Sequence, residues 1–176
     1  LPFLLIAWSE QHIDSGLASV LNATTPFFTV LFAVLVFRAE RLTRGKAAGI
    51  VLGFLGVAIL SGRDLAALRT VSALGHLAVL ASSVCYGLGF AYARRFLRGE
   101  PLALAAGQIA VAAALLLPTL PLVDGARLQP DGAAILAVVL LGVLGSGLAY
   151  VLYYRLIASA GAVVASLATY LMPPVG

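Results

Sequence analysis

The feature that most constrains this chain is the confinement of its charges to the gaps between long uncharged stretches. Only 10% of its residues are charged, whereas a soluble domain carries about 25%. An apolar helix of about 20 residues crosses the hydrocarbon core of a bilayer. The pattern therefore predicts an all-α polytopic membrane protein. The predicted spans are Gly16–Phe37, Ala47–Gly62, Val71–Ala93, Pro101–Val123 and Gly132–Tyr154.

Two shorter apolar stretches flank these spans, at Leu1–Trp8 and from Ala162 onward. We interpret the chain as the interior of a longer protein, with five complete spans and two cut ones. The single Cys85 lies within a span, so it predicts neither a disulfide nor a thiolate metal site within this chain.

The basic residues predict the orientation of the spans. Eight of the eleven fall on alternate connections, which places those connections in the cytoplasm. The stretch Ser9–Ser15 has no base and is expected outside, as is the connection 63–72. The net charge of +4 then reflects topology and does not predict a nucleic-acid partner. The eight bases are Arg38, Arg41, Arg44, Lys46, Arg94, Arg95, Arg98 and Arg155.

Two parts of the chain resemble each other at an offset of 147 residues. "ASVLNATTP" at 18–26 aligns with "ASLATYLMP" at 165–173, with Ala, Ser and Pro identical. Five spans separate each helix from its copy, so the two copies cross the membrane in opposite directions. The sequence thus predicts an inverted repeat, as in many secondary transporters. We divide the chain into a first repeat at 1–62, the connection 63–72 and a second repeat at 73–176.

The chain also resembles a known family. The proline of "TTP", the "ERLT" at Glu40–Thr43 and the glycines Gly49, Gly53 and Gly56 are similar to an EamA-type repeat of the drug/metabolite transporter superfamily. The resemblance implies ten helices in two inverted five-helix bundles, of which about seven are represented here. It also implies a central cavity and the transport of small metabolites. Members often carry an acid before the second-repeat proline, where this chain has Met172.

Polar residues beside two prolines form the main candidate site. Pro26 opens its helix, and the freed backbone is tolerated only against protein or a wet cavity. We expect the side chains of the two corresponding stripes to line a substrate cavity. The alternative is that they only bond neighbouring helices. The candidates are Asn22, Thr25 and Pro26 in the first copy, and Ser166, Thr169 and Pro173 in the second.

Other polar residues within the spans are candidates for the same cavity or for helix packing. They are Ser83, Tyr86, Gln108, Ser146 and Tyr150. We assign Tyr154 to the aromatic belt at the membrane interface.

The glycines Gly45, Gly49, Gly53 and Gly56 recur at a spacing that lets helices approach closely, within the bundle or in a homodimer.

The predicted spans contain no Asp, Glu, Lys or Arg, and such residues mark proton and ion paths. The sequence therefore predicts a carrier of neutral or zwitterionic solutes such as amino acids, with no cofactor or metal, in the cell membrane, most simply a bacterial inner membrane. Its partners would be the lipid bilayer and a small-molecule substrate. A polytopic enzyme or a scaffold remains the alternative, but the chain shows no nucleophile–base pair or metal triad.

Overall fold

The computed structural model describes residues 2–60, 73–122 and 131–173, and all regular elements within these ranges are helical. Turns of π-helix follow α3 and α7, at Leu31–Val36 and Leu141–Leu148, and turns of 3-10 helix follow α6 and α9, at Leu117–Leu122 and Leu167–Leu171. The α-helices are α1 (Pro2–Ser9), α2 (Ser15–Asn22), α3 (Thr25–Val30), α4 (Arg44–Leu60), α5 (Ala73–Phe96), α6 (Pro101–Leu116), α7 (Gly132–Leu140), α8 (Ala149–Ala160) and α9 (Ala162–Ser166).

Four helical runs are long and apolar enough to cross a membrane, and they coincide with four of the five predicted spans. The fifth span corresponds to α4, whose 17 described residues are within the range of about 17–25 that spans a bilayer. The all-α, multi-pass class is thus confirmed. The connection predicted at 63–72 lies outside the described residues. The four runs are Ser15–Val36, Ala73–Phe96, Pro101–Thr119 and Gly132–Ala160.

The described residues form two compact units. The first holds the chain up to Leu97 and from Ile157 onward, and the second holds Arg98–Leu156. In the first unit, α5 is the central helix and packs against α1, α2, α3 and α9. Small residues allow this crowding, and Ser82, Ser83 and Gly87 of α5 are all buried.

Gly87 marks a very close approach between α5 and α3. A Cβ atom at this position would lie 2.6 Å from the Cβ of Phe28 and 2.8 Å from its carbonyl carbon. Real side chains do not reach such distances, so the contact depends on glycine at position 87. Gly87 is not among the packing glycines predicted from the sequence.

The helix break predicted at "NATTP" is present. Helix α2 ends at Asn22, and α3 begins at Thr25 with Pro26 in its first turn. Pro26 has no N–H to donate to the carbonyl of Asn22, so the helical ladder is interrupted there. Asn22, Thr25, Pro26 and Thr29 are nevertheless buried, which places the break inside the first unit.

In the second unit, α6 packs against the π-helical turn that follows α7. Helix α7 begins after Asp131, whose carboxylate accepts a hydrogen bond from the N–H of Ala134 at 2.7 Å, a typical helix cap. Large apolar side chains such as Val111, Leu115 and Leu141 are exposed on this unit. A surface of this kind suits a lipid environment.

Candidate functional site

Asn22 is the centre of a buried polar cluster at the helix break. Asn22 is only 3% exposed. The hydroxyl of Ser83, on the central helix α5, lies 3.3 Å from Asn22 Oδ1 and donates a hydrogen bond to it. The hydroxyl of Thr25 lies 3.4 Å from the same oxygen. The structure therefore brings together three predicted site residues from two spans.

The carbonyl that Pro26 leaves unpaired has a partner, but it is not the one expected. The position of Asn22, four residues before Pro26, predicts that its side chain either satisfies this carbonyl or offers a hydrogen bond to solute. Instead, the hydroxyl of Thr25 donates to the Asn22 carbonyl oxygen at 2.7 Å. A threonine hydroxyl reaches the carbonyl three residues earlier in a helix, whereas the side chain of Asn22 leaves its own backbone and extends toward other groups. The amide of Asn22 is thus available for other contacts.

The amide nitrogen of Asn22 contacts Met172, the residue before the second proline. Nδ2 lies 3.2 Å from the Met172 sulfur, and a thioether is only a weak acceptor. In the sequence, Met172 stands out only because it occupies the place of an acid, and nothing there links it to Asn22. Because 150 residues separate the two in sequence, only the fold reveals this contact.

A cavity of about 440 Å³ opens beside this contact, and we call it the Asn22 cavity. Its polar lining residues are Glu10, Ser15, Ser19 and Asn22. Its apolar lining residues are Ile6, Ala18, Leu171 and Met172. It therefore combines a carboxylate, two hydroxyls and an amide with aliphatic walls, all of which belong to the first unit.

The second polar stripe is arranged differently from the first. Ser166 is buried and donates to the carbonyl of Val163 at 2.8 Å, just as its counterpart Ser19 donates to the carbonyl of Gly16 at 2.7 Å. Thr169 donates to the carbonyl of Ser166 at 2.8 Å and is not among the residues that line the Asn22 cavity. The same is true of the half-buried Pro173.

Tyr86 and the predicted residues of the second unit lie in other surroundings. Tyr86 packs edge-on against Phe3 of α1, with ring centroids 5.9 Å apart. Within the second unit, the hydroxyl of Tyr154 donates to the side-chain oxygen of Gln108. Tyr150, one turn before Tyr154, is half-buried, as is Ser146 in the preceding π-helical turn.

Tyr154 differs from the belt residue that we expected. It is only 6% exposed, and its hydroxyl has a partner within the span, whereas a belt tyrosine places its hydroxyl at the headgroups. The reason is the amide of Gln108, because a buried tyrosine hydroxyl requires a hydrogen-bond partner.

The four glycines of α4 are not equivalent. A Cβ at Gly53 would lie 2.4 Å from the ring of Tyr170, and one at Gly49 would lie 3.5 Å from Leu167. A Cβ at Gly45 or Gly56 would have no described atom within 4 Å apart from those of neighbouring residues in its own helix. Close packing in this chain therefore involves the middle pair, which meets the 3-10 turn after α9.

Glu40 forms an ionic contact that the sequence analysis missed. Its side chain is 4% exposed, and Lys46 Nζ lies 2.6 Å from Oε2. The other oxygen, Oε1, accepts a hydrogen bond from the N–H of Ala162 and lies 3.7 Å from Arg94 Nε. Arg94 in turn donates to the carbonyls of Ile157 and Ala158 at 3.0 and 3.1 Å. We call this arrangement the Glu40 joint.

The local backbone explains how Glu40 reaches this position. Arg38 adopts a left-handed conformation with φ of 49°, and the N–H groups of Ala39 and Glu40 both bond the carbonyl of Ala33. The chain therefore turns back after the first span. Gly161 has φ of 95°, and a Cβ there would lie 2.6 Å from Glu40 Oε1, so only glycine lets the carboxylate reach α9.

Several of the predicted topology residues surround the joint. Arg38, Arg41, Lys46 and Arg94 line a second cavity, of about 480 Å³, next to Glu40. Arg44, Arg95 and Arg98 are exposed, and Arg95 lies over the ring of Phe96 at 5.8 Å.

Among the described residues, there is no group of three His, Cys, Asp or Glu side chains that could hold a metal ion.

The sequence of this chain matches a known family. The sequence model of the EamA-like transporter family matches residues 1–62 and 73–175. No solved structure matches the chain.

Three curated relatives illustrate the relationship. A Streptantibioticus cattleyicolor protein named "Probable terminal-alkyne amino-acid exporter" is 34% identical over 174 residues, which cover 98% of this chain and 57% of that protein. The "Uncharacterized inner membrane transporter YedA" of Escherichia coli K12 is 30% identical, with coverage of 94% and 53%. An "Uncharacterized transporter" of Archaeoglobus fulgidus is 29% identical, with coverage of 82% and 50%. The chain spans about half the length of these relatives.

Proposed function

The chain belongs to the EamA-like transporter family, and on this premise we propose that it carries small neutral or zwitterionic metabolites across the membrane by alternating access. The proposal includes two inverted repeats, with the substrate site beside their broken helices. The observation that carries it is the Asn22 cavity, which places a buried amide next to the break at Pro26. We further propose a cytoplasmic membrane of bacterial type as its location.

The hydrogen bonds of Asn22 favour a role in solute binding. Its side-chain oxygen already accepts from Ser83, so the amide is held with its nitrogen toward Met172. A thioether is a weak acceptor. A solute carboxylate or carbonyl would be a much better one. The amide can therefore exchange a weak internal contact for a stronger one with solute.

The Glu40 joint supports alternating access, because it lies at the other end of the same span. The Asn22 cavity is beside Ser15–Asn22, whereas Glu40 follows the end of the span at Val36. A span of 22 residues is roughly 30 Å long at the rise of an α-helix. Under this proposal, the joint closes the path at the cytoplasmic end while the cavity is open at the outer end, and it opens when the carrier changes state.

The solute class follows from the cavity and from one relative. The name of the Streptantibioticus protein refers to amino acids, and amino acids combine the charged and aliphatic groups that the Asn22 cavity could hold. We propose that this chain acts on solutes of that kind, as an exporter or a facilitator.

Counterflow in proteoliposomes tests the function. We expect the wild type to exchange at least one member of a panel of radiolabelled neutral amino acids, and Asn22→Leu to exchange it at least tenfold more slowly. Thr169→Val tests the corresponding position of the second stripe. Its matched control is Thr119→Val, because Thr119 makes the same hydroxyl bond, 2.7 Å to Leu116, in the second unit.

The outcomes separate the cavity from the function. If no amino acid of the panel is exchanged by the wild type, the proposed solute class is wrong. If Asn22→Leu inserts normally and exchanges at the wild-type rate, the transport path does not pass through the Asn22 cavity.

A further inference from the structure

We propose that Glu10 is the residue of the Asn22 cavity that binds a protonated amine, and that the transported solutes therefore carry an ammonium group. This inference rests on the proposed function, since it takes the Asn22 cavity as the transport site. It names the chemical group that is recognised and the residue that recognises it, neither of which follows from membership of the family.

One ionisable side chain lines the Asn22 cavity. Among the eight side chains that line it, Glu10 alone is ionisable. No basic group among the described residues lies within ion-pair distance of its carboxylate. Glu10 is exposed, and it adds to the lining a negative charge that no described basic group neutralises. A solute cation is therefore the partner that this carboxylate lacks.

The neighbouring charged groups do not share this position. Asp14 precedes α2 as its N-cap residue and does not line the cavity. The Nδ1–H group of His12 donates to the carbonyl oxygen of Trp8 at 3.0 Å, and the ring of His12 packs against Trp8 with centroids 4.4 Å apart. Of the three ionisable residues in the turn between α1 and α2, only Glu10 reaches the cavity.

Glu10 and Asn22 reach the cavity from different parts of the chain. Ser15, at the start of α2, and Asn22, at its end, both line the cavity, and seven helical steps separate them by about 10 Å. Glu10 belongs to the turn before α2, where its N–H bonds the carbonyl of Ile6 at 2.9 Å. Glu10 and Asn22 thus contribute to one cavity from the turn before α2 and from its last residue.

A carboxylate and an amide in one cavity with aliphatic walls fit one kind of solute. Glu10 accepts hydrogen bonds from an ammonium group, and the Asn22 amide donates to a carboxylate or carbonyl. Ile6, Ala18 and Leu171 add apolar groups to the same lining. An amine with a short aliphatic chain satisfies Glu10 and the walls, and an amino acid satisfies Asn22 as well. A carboxylic acid without an amine meets an uncompensated carboxylate.

Two small probes of equal carbon skeleton separate the charges. We would titrate purified protein in detergent with isobutylamine or with isobutyrate and follow the temperature of unfolding. The wild type should be stabilised by isobutylamine and not by isobutyrate. In Glu10→Gln, the apparent affinity for isobutylamine should fall by about tenfold or more, since hydrogen bonds to charged groups are strong. Asp14→Asn is the control, because it removes a carboxylate from the same turn outside the cavity.

Charge reversal provides a second variant. In Glu10→Lys the preference should invert, so that isobutyrate stabilises and isobutylamine does not. The inference is overturned if isobutylamine fails to stabilise the wild type, if Glu10→Gln keeps the wild-type affinity, or if Asp14→Asn has the larger effect. The counterflow assay keeps the two proposals separate. If the wild type exchanges amino acids and Glu10→Gln still binds the amine, the role of Glu10 is refuted and the transport function stands.

Discussion

The carboxylate of Glu40 accepts a hydrogen bond from the backbone N–H of Ala162, although 122 residues separate them along the chain. Through this contact, the connection after the first described span is fixed to the junction of α8 and α9. Lys46 and Arg94 neutralise the carboxylate from two further helices. One side chain therefore ties together four segments at a single end of the first unit.

Replacing Glu40 by Gln should destabilise the protein by about 1–2 kcal/mol. The loss is smaller than for a fully buried ion pair, because Lys46 and Arg94 are partly exposed, with 20% and 35% of their side-chain surface accessible. The temperature of unfolding in detergent measures the effect. Glu100→Gln is the control, since Glu100 is exposed and makes no side-chain cap bond. Equal unfolding temperatures for the two variants would contradict a stabilising role of the joint.

The two glycines Gly53 and Gly56 provide a matched pair on one helix. Gly53→Ala should destabilise by about 1–3 kcal/mol, as overpacking typically does, because the ring of Tyr170 occupies the space of the new methyl group. That ring cannot easily move, since its hydroxyl bonds the carbonyl of Ile50 at 3.0 Å. Gly56→Ala should be neutral or stabilising by up to about 1 kcal/mol through helix propensity.

Unfolding of the two alanine variants under the same conditions decides this point. If Gly56→Ala loses more stability than Gly53→Ala, the face of α4 that carries Gly56 packs against a further group besides Tyr170.

The contrast between these glycines shows what the sequence alone could predict. Gly45, Gly49 and Gly53 recur at every fourth residue and Gly56 follows one turn on, and this pattern predicted close packing at every one. Whether a glycine meets a neighbour depends on which face of the helix turns toward the 3-10 turn after α9. That orientation is set by contacts between residues that lie more than 100 positions apart, such as Tyr170 and Ile50, and no local pattern records it.

The break at Pro26 was predictable because its cause is local, since a missing N–H and a ring clash act within one turn. The partners of Asn22 were not, since Ser83 and Met172 lie on distant segments. From the sequence, Glu40 is interpreted only as part of a charged connection and of the "ERLT" stretch that carries the family resemblance. Its burial needs the backbone turn at Arg38 and the glycine at position 161, and neither is apparent from composition.

The hydroxyl of Thr25 should matter for stability rather than for insertion. Thr25→Val keeps the volume and removes the group that satisfies the Asn22 carbonyl at 2.7 Å. A buried acceptor without a partner costs about 1–3 kcal/mol. Thr25→Ser retains the hydroxyl and is the control, so it should unfold closer to the wild type than Thr25→Val. If the valine variant is the more stable of the two, the carbonyl has another partner, and the importance of Thr25 for the break is refuted.

The last prediction concerns the orientation of the first unit in the membrane. The positive charges at Arg38–Lys46 predict that this connection faces the cytoplasm, whereas the stretch Ser9–Ser15, which has no base, faces outward. In a background with Cys85→Ala, we expect His12→Cys to react with an impermeant thiol reagent in intact cells. Arg41→Cys should react only after the membrane is permeabilised. Both positions are exposed in the structure, so a failure to label reflects the side of the membrane and not burial. Labelling of Arg41→Cys but not of His12→Cys in intact cells would reverse the orientation. The Asn22 cavity would then open toward the cytoplasm, and the Glu40 joint would close the outer end.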